Sequence, residues 1–527
     1  MKASFISLLV CSLALSLRAA EPPALWVYYP VNLLVDKNIE TLEARMKEAK
    51  AAGYSAFTIT DSKFGKLGEM DKRYFANIEK VKRIAAENGI ELIPMLCGIG
   101  CSESLLWNDP DLAEGLPVRE ASFVVRGGVA VLEAAPIPLD RWGWVDENMT
   151  PIPNGLRCEN PNGKNARFTK RIKVNPFRQY HVSVEIRTEN FRGTPQISPL
   201  TKEGRTLNYA DLNAKPTQDW TTHHIIFNSL DNAEVSLYFG VWDGKTGVIE
   251  WRNAKIEETA FVNLLRRDGA PLTVTAADGK PLTEGRDFEP LTDPHSGTVP
   301  WKGCYEIYHE PPTLRTKNLP DGTRLKISFY HAVVFYTEKV MICISEPKTE
   351  AILRDHIKRL HAAWGAKKYF MAHDEIRALN WDKSCCDRNL DAGEIVADNA
   401  AKCIAWIREG APDAEIYVWG DMFDPHHNAH KDYYLVRGDL AGAWKGLDKK
   451  IIPVPWAVEF ADKSAAWFSG LGMRMVFAGY YDAPVARSQP WIDAAKKYPG
   501  VEAIIYTTWE NNFTDLKPFA EMIRAAF

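Results

Sequence analysis

The sequence predicts an α/β fold, a (β/α)8 TIM barrel interrupted after its third strand by an all-β insertion. Three observations predict it. Short apolar strands alternate with amphipathic helical patterns over residues 24–117 and again from about 336 to the end. Six of those strands follow shortly after a glycine (Gly53, Gly89, Gly365, Gly410, Gly472 and Gly500), as in an αβ connection with a left-handed helix cap. Between the two stretches only strand periodicity is found.

The elements follow in order. Leu25–Tyr29 is an apolar strand, and Ile39, Leu42, Met46 and Ala49 then recur at helical spacing. Ala56–Thr60 is the second strand, and Ile78, Val81 and Ala85 line the second helix. Glu91–Leu96 is the third strand. Beyond the interruption, Val340–Ile344 reads as an extra strand-like approach to a helix carrying Leu353, Ile357, Leu360 and Trp364 on one face. The remaining strands are Tyr369–Ala372, Ile416–Trp419, Ile451–Val454, Met475–Ala478 and Ala503–Tyr506, with a last helix near Leu516–Ala526. Repeated strand–helix units require a mostly parallel sheet, and strand one leads into Pro30-Val31-Asn32 rather than the Gly-rich phosphate turn of a doubly wound sheet.

The expected organisation is a signal peptide over 1–20, a barrel over 21–117 and 336–527, a jelly-roll-like sandwich over 118–260 and a small β region over 261–335. In the insertion, Tyr180, Val182, Val184 and Ile186 alternate with polar residues, and so do Val235, Leu237, Phe239 and Val241. At the start, Lys2 precedes the apolar run Phe5–Leu17, which is too short to span a bilayer. A secreted or periplasmic protein is expected, with no membrane span. The net charge of -4 supplies no basic surplus for nucleic acid. No cysteine pair has the Cys-x-x-Cys spacing of a zinc site, so the spacing implies neither metal nor cofactor. The histidines of Asp424-Pro425-His426-His427-Asn428-Ala429-His430 read as a loop that contacts substrate or solvent rather than as metal ligands.

A barrel carries its active site at the C-terminal ends of its strands. Strands four to eight end in His373-Asp374-Glu375, Trp419-Gly420-Asp421, Pro455-Trp456, Gly479-Tyr480-Tyr481-Asp482 and Thr508-Trp509-Glu510-Asn511. Carboxylates among large aromatics suit glycoside hydrolysis, in which one carboxylic acid protonates the leaving oxygen and a second group stabilises the oxocarbenium-like carbon. Neighbours on a strand point to opposite faces, so Asp374 and Glu375 share a pocket only where the strand is already turning into a loop. Two such charges repel, and one then holds its proton to higher pH.

These strand ends resemble those of the family-20 glycoside hydrolases, the β-N-acetylhexosaminidases. The resemblance implies substrate-assisted retaining removal of N-acetylglucosamine or N-acetylgalactosamine from a glycan. It implies Glu375 as general acid/base, Asp374 as the residue polarising the 2-acetamido group, and Tyr480 as donor to its carbonyl, with Tyr481 the rival. Trp419, Trp456 and Trp509 would wall the pocket, and Asp482 and Glu510 would bind sugar hydroxyls. His373, Arg377 and Asp421 complete the candidate substrate-binding set, Arg377 standing in for a sugar-binding arginine. The chain departs from the family at Phe370-Met371-Ala372-His373, where the family has His-x-Gly-Gly, and at Trp509-Glu510, where it has Trp-x-Glu. The sandwich resembles carbohydrate-binding modules in Tyr180–Val184 and Gly247–Glu257, and Trp142, Trp144, Trp242 and Trp251 are its candidates for sugar stacking or core packing. Two alternatives stay open: a retaining glycosidase with Glu510 or Asp482 as nucleophile, and a non-catalytic secreted glycan-binding protein.

Overall fold

The computed structural model describes residues 21–139 and 141–527; the expected signal peptide lies outside them. Eight strands form one sheet: β1 (Ala24–Pro30), β2 (Ala56–Thr60), β3 (Glu91–Leu96), β4 (Lys368–Met371), β5 (Glu415–Trp419), β6 (Ile452–Val454), β7 (Met475–Tyr480) and β8 (Val501–Thr507). Their order is β6-β5-β4-β3-β2-β1-β8-β7, and every pairing is parallel. The edges β6 and β7 approach each other, and the Ala478 N–H donates to Pro455 O at 3.0 Å. The sheet is therefore nearly closed as a barrel.

Seven longer helices cover its outside: α1 (Asp36–Ala51), α2 (Lys72–Glu87), α3 (Pro347–Trp364), α4 (Ala392–Gly410), α5 (Ala461–Gly470), α6 (Gln489–Lys497) and α7 (Leu516–Ala526). Their apolar stripes face the strands: α1 buries Ile39, Leu42, Met46 and Ala49, and α3 buries Leu353, Ile357, Leu360 and Trp364. Asp391 and Glu394 form a capping box that starts α4, and the left-handed Gly365 ends α3.

Because the sheet is covered outside and filled inside, period two sorts each strand into two apolar faces. Trp26 and Tyr28, Phe370, Tyr417 and Trp419, Ile452 and Val454, Val476 and Ala478, Ala503 and Ile505 pack together in the interior. Their neighbours Val27, Tyr369, Val418, Phe477 and Ile504 join the helices.

The insertion contains three antiparallel sheets. Two five-stranded sheets stack as a sandwich: one is built on Gln179–Arg192, Gln218–Asn228 and Thr246–Thr259, the other on Lys164–Lys173, Pro195–Thr201 and Glu234–Gly244. Phe168 stacks on Phe239 at 5.1 Å in its core, and Trp251 and Trp142 meet Phe168 edge-on at 5.6 and 4.6 Å. Trp251 and Trp142 thus serve packing, whereas Trp144 is exposed, with the Arg167 guanidinium 5.1 Å over its ring.

Two sequence expectations need correction. Leu116–Arg126, read as part of the sandwich, pairs instead with Arg324–His331 in a third sheet with Thr273–Ala276. That pairing joins segments about two hundred residues apart, so local pattern carries no trace of it. Val340–Ile344 forms no regular strand; Ile342 makes one isolated bridge to Ala113, where the chain leaving β3 meets the chain returning to α3. No helix among the described residues is long and apolar enough to cross a membrane.

Candidate active site

The strand ends of the nearly closed sheet converge on one aromatic collar. Tyr28 lies 6.2 Å from Trp419 and 5.2 Å from Trp509, and Tyr481 lies 6.2 Å from Trp509 and 6.3 Å from Trp456. His427 packs edge-on against Trp456 at 4.4 Å. Trp419 is buried low in the collar and Trp509 stands at its rim, 58% exposed.

Asp374 faces this collar. Phe370 and Ala372 point inward, so period two brings Asp374 inward as well. The strand has ended at Met371, and Glu375 is left-handed (φ 52°), which turns the chain and keeps both carboxylates near the mouth. The loop after β3 runs against them so closely that a Cβ on Gly100 would lie 1.7 Å from Asp374 O. Burial, then the charges of Asp421 and Glu375, push the Asp374 carboxyl up to about 7. Asp374 in turn adds to the burial that raises the Tyr28 and Tyr481 hydroxyls above their usual value.

Glu375 is held from two sides. Its N–H donates to Asp421 Oδ2 at 2.9 Å, and its Oε1 lies 2.7 Å from Arg377 Nη2. Asp421 is fully buried, and its Oδ2 also accepts from Asn428 Nδ2 at 2.9 Å. Its Oδ2 therefore fixes the Glu375 backbone at the floor beneath Asp374, while its Oδ1 is buried without a hydrogen-bond partner among the described residues. Arg377 is buried beside Tyr434, 5.5 Å over that ring, and Tyr434 lies 6.0 Å from Tyr209 of the sandwich. The sandwich thus reaches the Glu375 side of the pocket, where Thr201–Thr206 and His430–Tyr434 face each other across a cleft.

Other expected site residues fall elsewhere. His373 takes the outward position between Ala372 and Asp374; it is fully buried, with Nε2 3.1 Å from Asn399 Oδ1 on α4. It cannot meet substrate there. Tyr480 is also outside the collar. It stacks on Tyr506 at 4.1 Å, its hydroxyl donates to Asp515 Oδ2 at 2.9 Å, and Asn512 Nδ2 donates to that hydroxyl at 3.0 Å. The cause is local: Tyr480, Tyr481 and Asp482 are all left-handed (φ 77°, 53° and 54°). This breaks the alternation of Val476 and Ala478 and sends Tyr481, not Tyr480, into the collar. Asp482 spends its carboxylate on the loop after β8, where Oδ2 accepts the N–H of Trp509 at 2.7 Å and Oδ1 accepts the Thr508 hydroxyl. Glu510 is exposed. The loop histidines diverge: His426 faces Trp467, His427 faces Trp456, and His430 Nδ1 lies 2.7 Å from Lys431 O.

The collar and pair bring together Asp374, Glu375, Arg377, Asp421, Trp419, Trp456, Tyr481 and Trp509. Sequence reasoning missed Tyr28, which the alternation with Trp26 on β1 marks as inward, and Tyr209, Tyr433 and Tyr434, which no periodicity marks.

No family model and no curated protein matches the chain. Solved structures similar to it include a β-N-acetylhexosaminidase from Bacteroides fragilis NCTC 9343, 7% identical over 96% of this chain and 65% of that one, with a TM-score of 0.40. A rhamnosidase from Novosphingobium sp. PP1Y is 12% identical over 96% of this chain and 59% of that one, with a TM-score of 0.34. A carbohydrate-binding module from Cellvibrio mixtus lichenase 5A, solved with cellotriose, is 11% identical over 27% of this chain and 100% of that one, with a TM-score of 0.18. The chain thus spans less than two-thirds of the length of either enzyme.

Proposed function

We propose that the protein is an exported glycoside hydrolase that removes β-linked N-acetylhexosamine from glycans, using the 2-acetamido group of the substrate as the nucleophile. The observation that carries this reading is the adjacent pair Asp374–Glu375 at the floor of an aromatic collar, with one member held up to about 7. The aromatic walls suit the apolar faces of a sugar ring, and the two carboxylates suit an oxocarbenium-like transition state. Asp374 sits centrally, beside Tyr28 and Tyr481, where the ring bearing the acetamido group would lie. Glu375 sits toward the cleft with the sandwich, where the leaving portion of the glycan would extend.

In the reaction the acetamido carbonyl oxygen attacks C1 while the glycosidic C1–O bond breaks. Glu375 gives its proton to the departing oxygen, so the Arg377 pair must open as substrate enters. Asp374, as carboxylate, accepts the acetamido N–H and stabilises the cyclic cation, and Tyr481 donates to the acetamido oxygen. Water then adds to C1, returning its proton to Glu375 and opening the ring. Two inversions give net retention. Proton NMR of the first-formed sugar tests this: the β-anomer is expected, and initial α-anomer would overturn it.

One observation favours a second reading. Asp374 is the carboxyl that burial and its charged neighbours hold up to about 7, whereas Glu375 Oε1 lies 2.7 Å from Arg377 Nη2. In this reading Asp374 is the acid. A protein nucleophile at Asp482 or Glu510 has less support, because the first is engaged in its own loop and the second is exposed.

A further inference from the structure

A second cluster of reactive groups lies where the insertion joins the barrel. Glu114, Cys343, Asp382 and Cys385 are all buried, between 0% and 2% exposed, and one donor atom from each lies within 4.8 Å of all the others. Cys343 Sγ is 3.5 Å from Asp382 Oδ1 and 3.6 Å from Cys385 Sγ, and Cys385 Sγ is 3.5 Å from Glu114 Oε2. A tetrahedral zinc ion with bonds of about 2.3 Å to sulfur and about 2.0 Å to oxygen sets its ligands about 3.8 Å apart for S···S and about 3.5 Å for S···O. The three distances match that set.

The surroundings also match. The second oxygen of each carboxylate is already held: Glu114 Oε1 accepts the Trp381 N–H at 2.8 Å, and Asp382 Oδ2 pairs with Arg267. Outer partners of this kind orient metal-ligating carboxylates. Arg267 pairs with Asp382 and, at 2.7 Å, with Glu346, and Glu114 lies buried beside them. Thiolates select a soft divalent ion over calcium or magnesium.

We propose that Glu114, Cys343, Asp382 and Cys385 bind a structural zinc ion. Four protein donors close the coordination shell, which is the mark of a structural rather than a catalytic site. The ion staples three chain segments. Glu114 precedes the insertion and Cys343 follows it, and these two chains are already paired, Glu114 N donating to Met341 O at 2.8 Å and Cys343 N to Leu112 O at 2.7 Å. Asp382 and Cys385 end the loop that begins at Asp374. The ion thus ties the root of the insertion to the loop carrying the proposed catalytic pair. The proposal does not depend on the glycosidase reading.

Elemental analysis of the mature chain, purified without chelator, tests it. About one equivalent of zinc per chain is expected. Exchange with cobalt(II) should give thiolate-to-cobalt charge-transfer absorption and the visible bands of tetrahedral cobalt. Cys343→Ser and Cys385→Ser should lose the metal and lower Tm, whereas Cys158→Ser, buried in the sandwich, should keep the metal. If the serine variants do not fold, the cobalt spectrum of the unmutated protein decides. A chain that takes up neither zinc nor cobalt overturns the proposal, as does a Cys343–Cys385 disulfide-linked peptide in a non-reducing digest.

Discussion

Replacing Glu375 by glutamine is expected to lower kcat/KM by about 10³-fold on an N-acetylhexosaminide with a poor leaving group, the scale of losing a general acid. On a dinitrophenyl glycoside, whose leaving group departs without a proton, the same variant should retain most of its rate of bond cleavage. Glu375 projects from a left-handed position set by its N–H bond to Asp421, and glutamine preserves both that bond and the side-chain volume. It withdraws the charge paired with the buried Arg377, so Tm should fall, and the retained cleavage of the dinitrophenyl glycoside is what separates lost chemistry from lost folding. If the dependence on leaving group appears instead in Asp374→Asn, the proton belongs to Asp374 and the second reading is correct.

Asp374→Asn is expected to cost about 10²-fold or more regardless of leaving group, because it removes a preorganised charge facing the cation formed in the reaction. It should also change the pH profile. The Asp374 carboxyl is raised to about 7, so it is protonated below that pH and ionised above it. The Asp374–Glu375 pair loses its last proton as pH rises through about 7, and kcat/KM of the unmutated enzyme should fall on that side. Asp421 is the largest charge acting on Asp374. Asp421→Asn keeps an oxygen for the Glu375 N–H but removes the charge, so the falling limb should move to lower pH. Asp374→Asn should remove the limb near 7. A limb unmoved in both variants would separate Asp374 from the reaction.

The barrel strands and helix faces were legible because each is written in one short stretch with one period. Ile39, Leu42, Met46 and Ala49 read as the buried face of α1 because nothing outside α1 is needed to see it. The pairing of Leu116–Arg126 with Arg324–His331 was not legible, since register across so long a separation is a tertiary property. Within the site, alternation alone would have placed Tyr28 inward and His373 outward. It would have misplaced Tyr480, because three successive left-handed residues reverse the facing at the end of β7. The proposed zinc donors were hidden for a related reason. Only Asp382 and Cys385 are near in sequence, and their partners Glu114 and Cys343 flank the whole insertion.

In the proposed reaction Asp374 and Glu375 cleave a sugar through its own acetamido group. Hydrolysis of a panel of nitrophenyl glycosides by the purified protein tests this reaction. Turnover of the β-linked N-acetylglucosaminide or N-acetylgalactosaminide is expected, with loss of that turnover when the same sugars carry a plain 2-hydroxyl. Preferential cleavage of the plain hexosides would contradict it, and so would sugar binding without cleavage of any member of the panel.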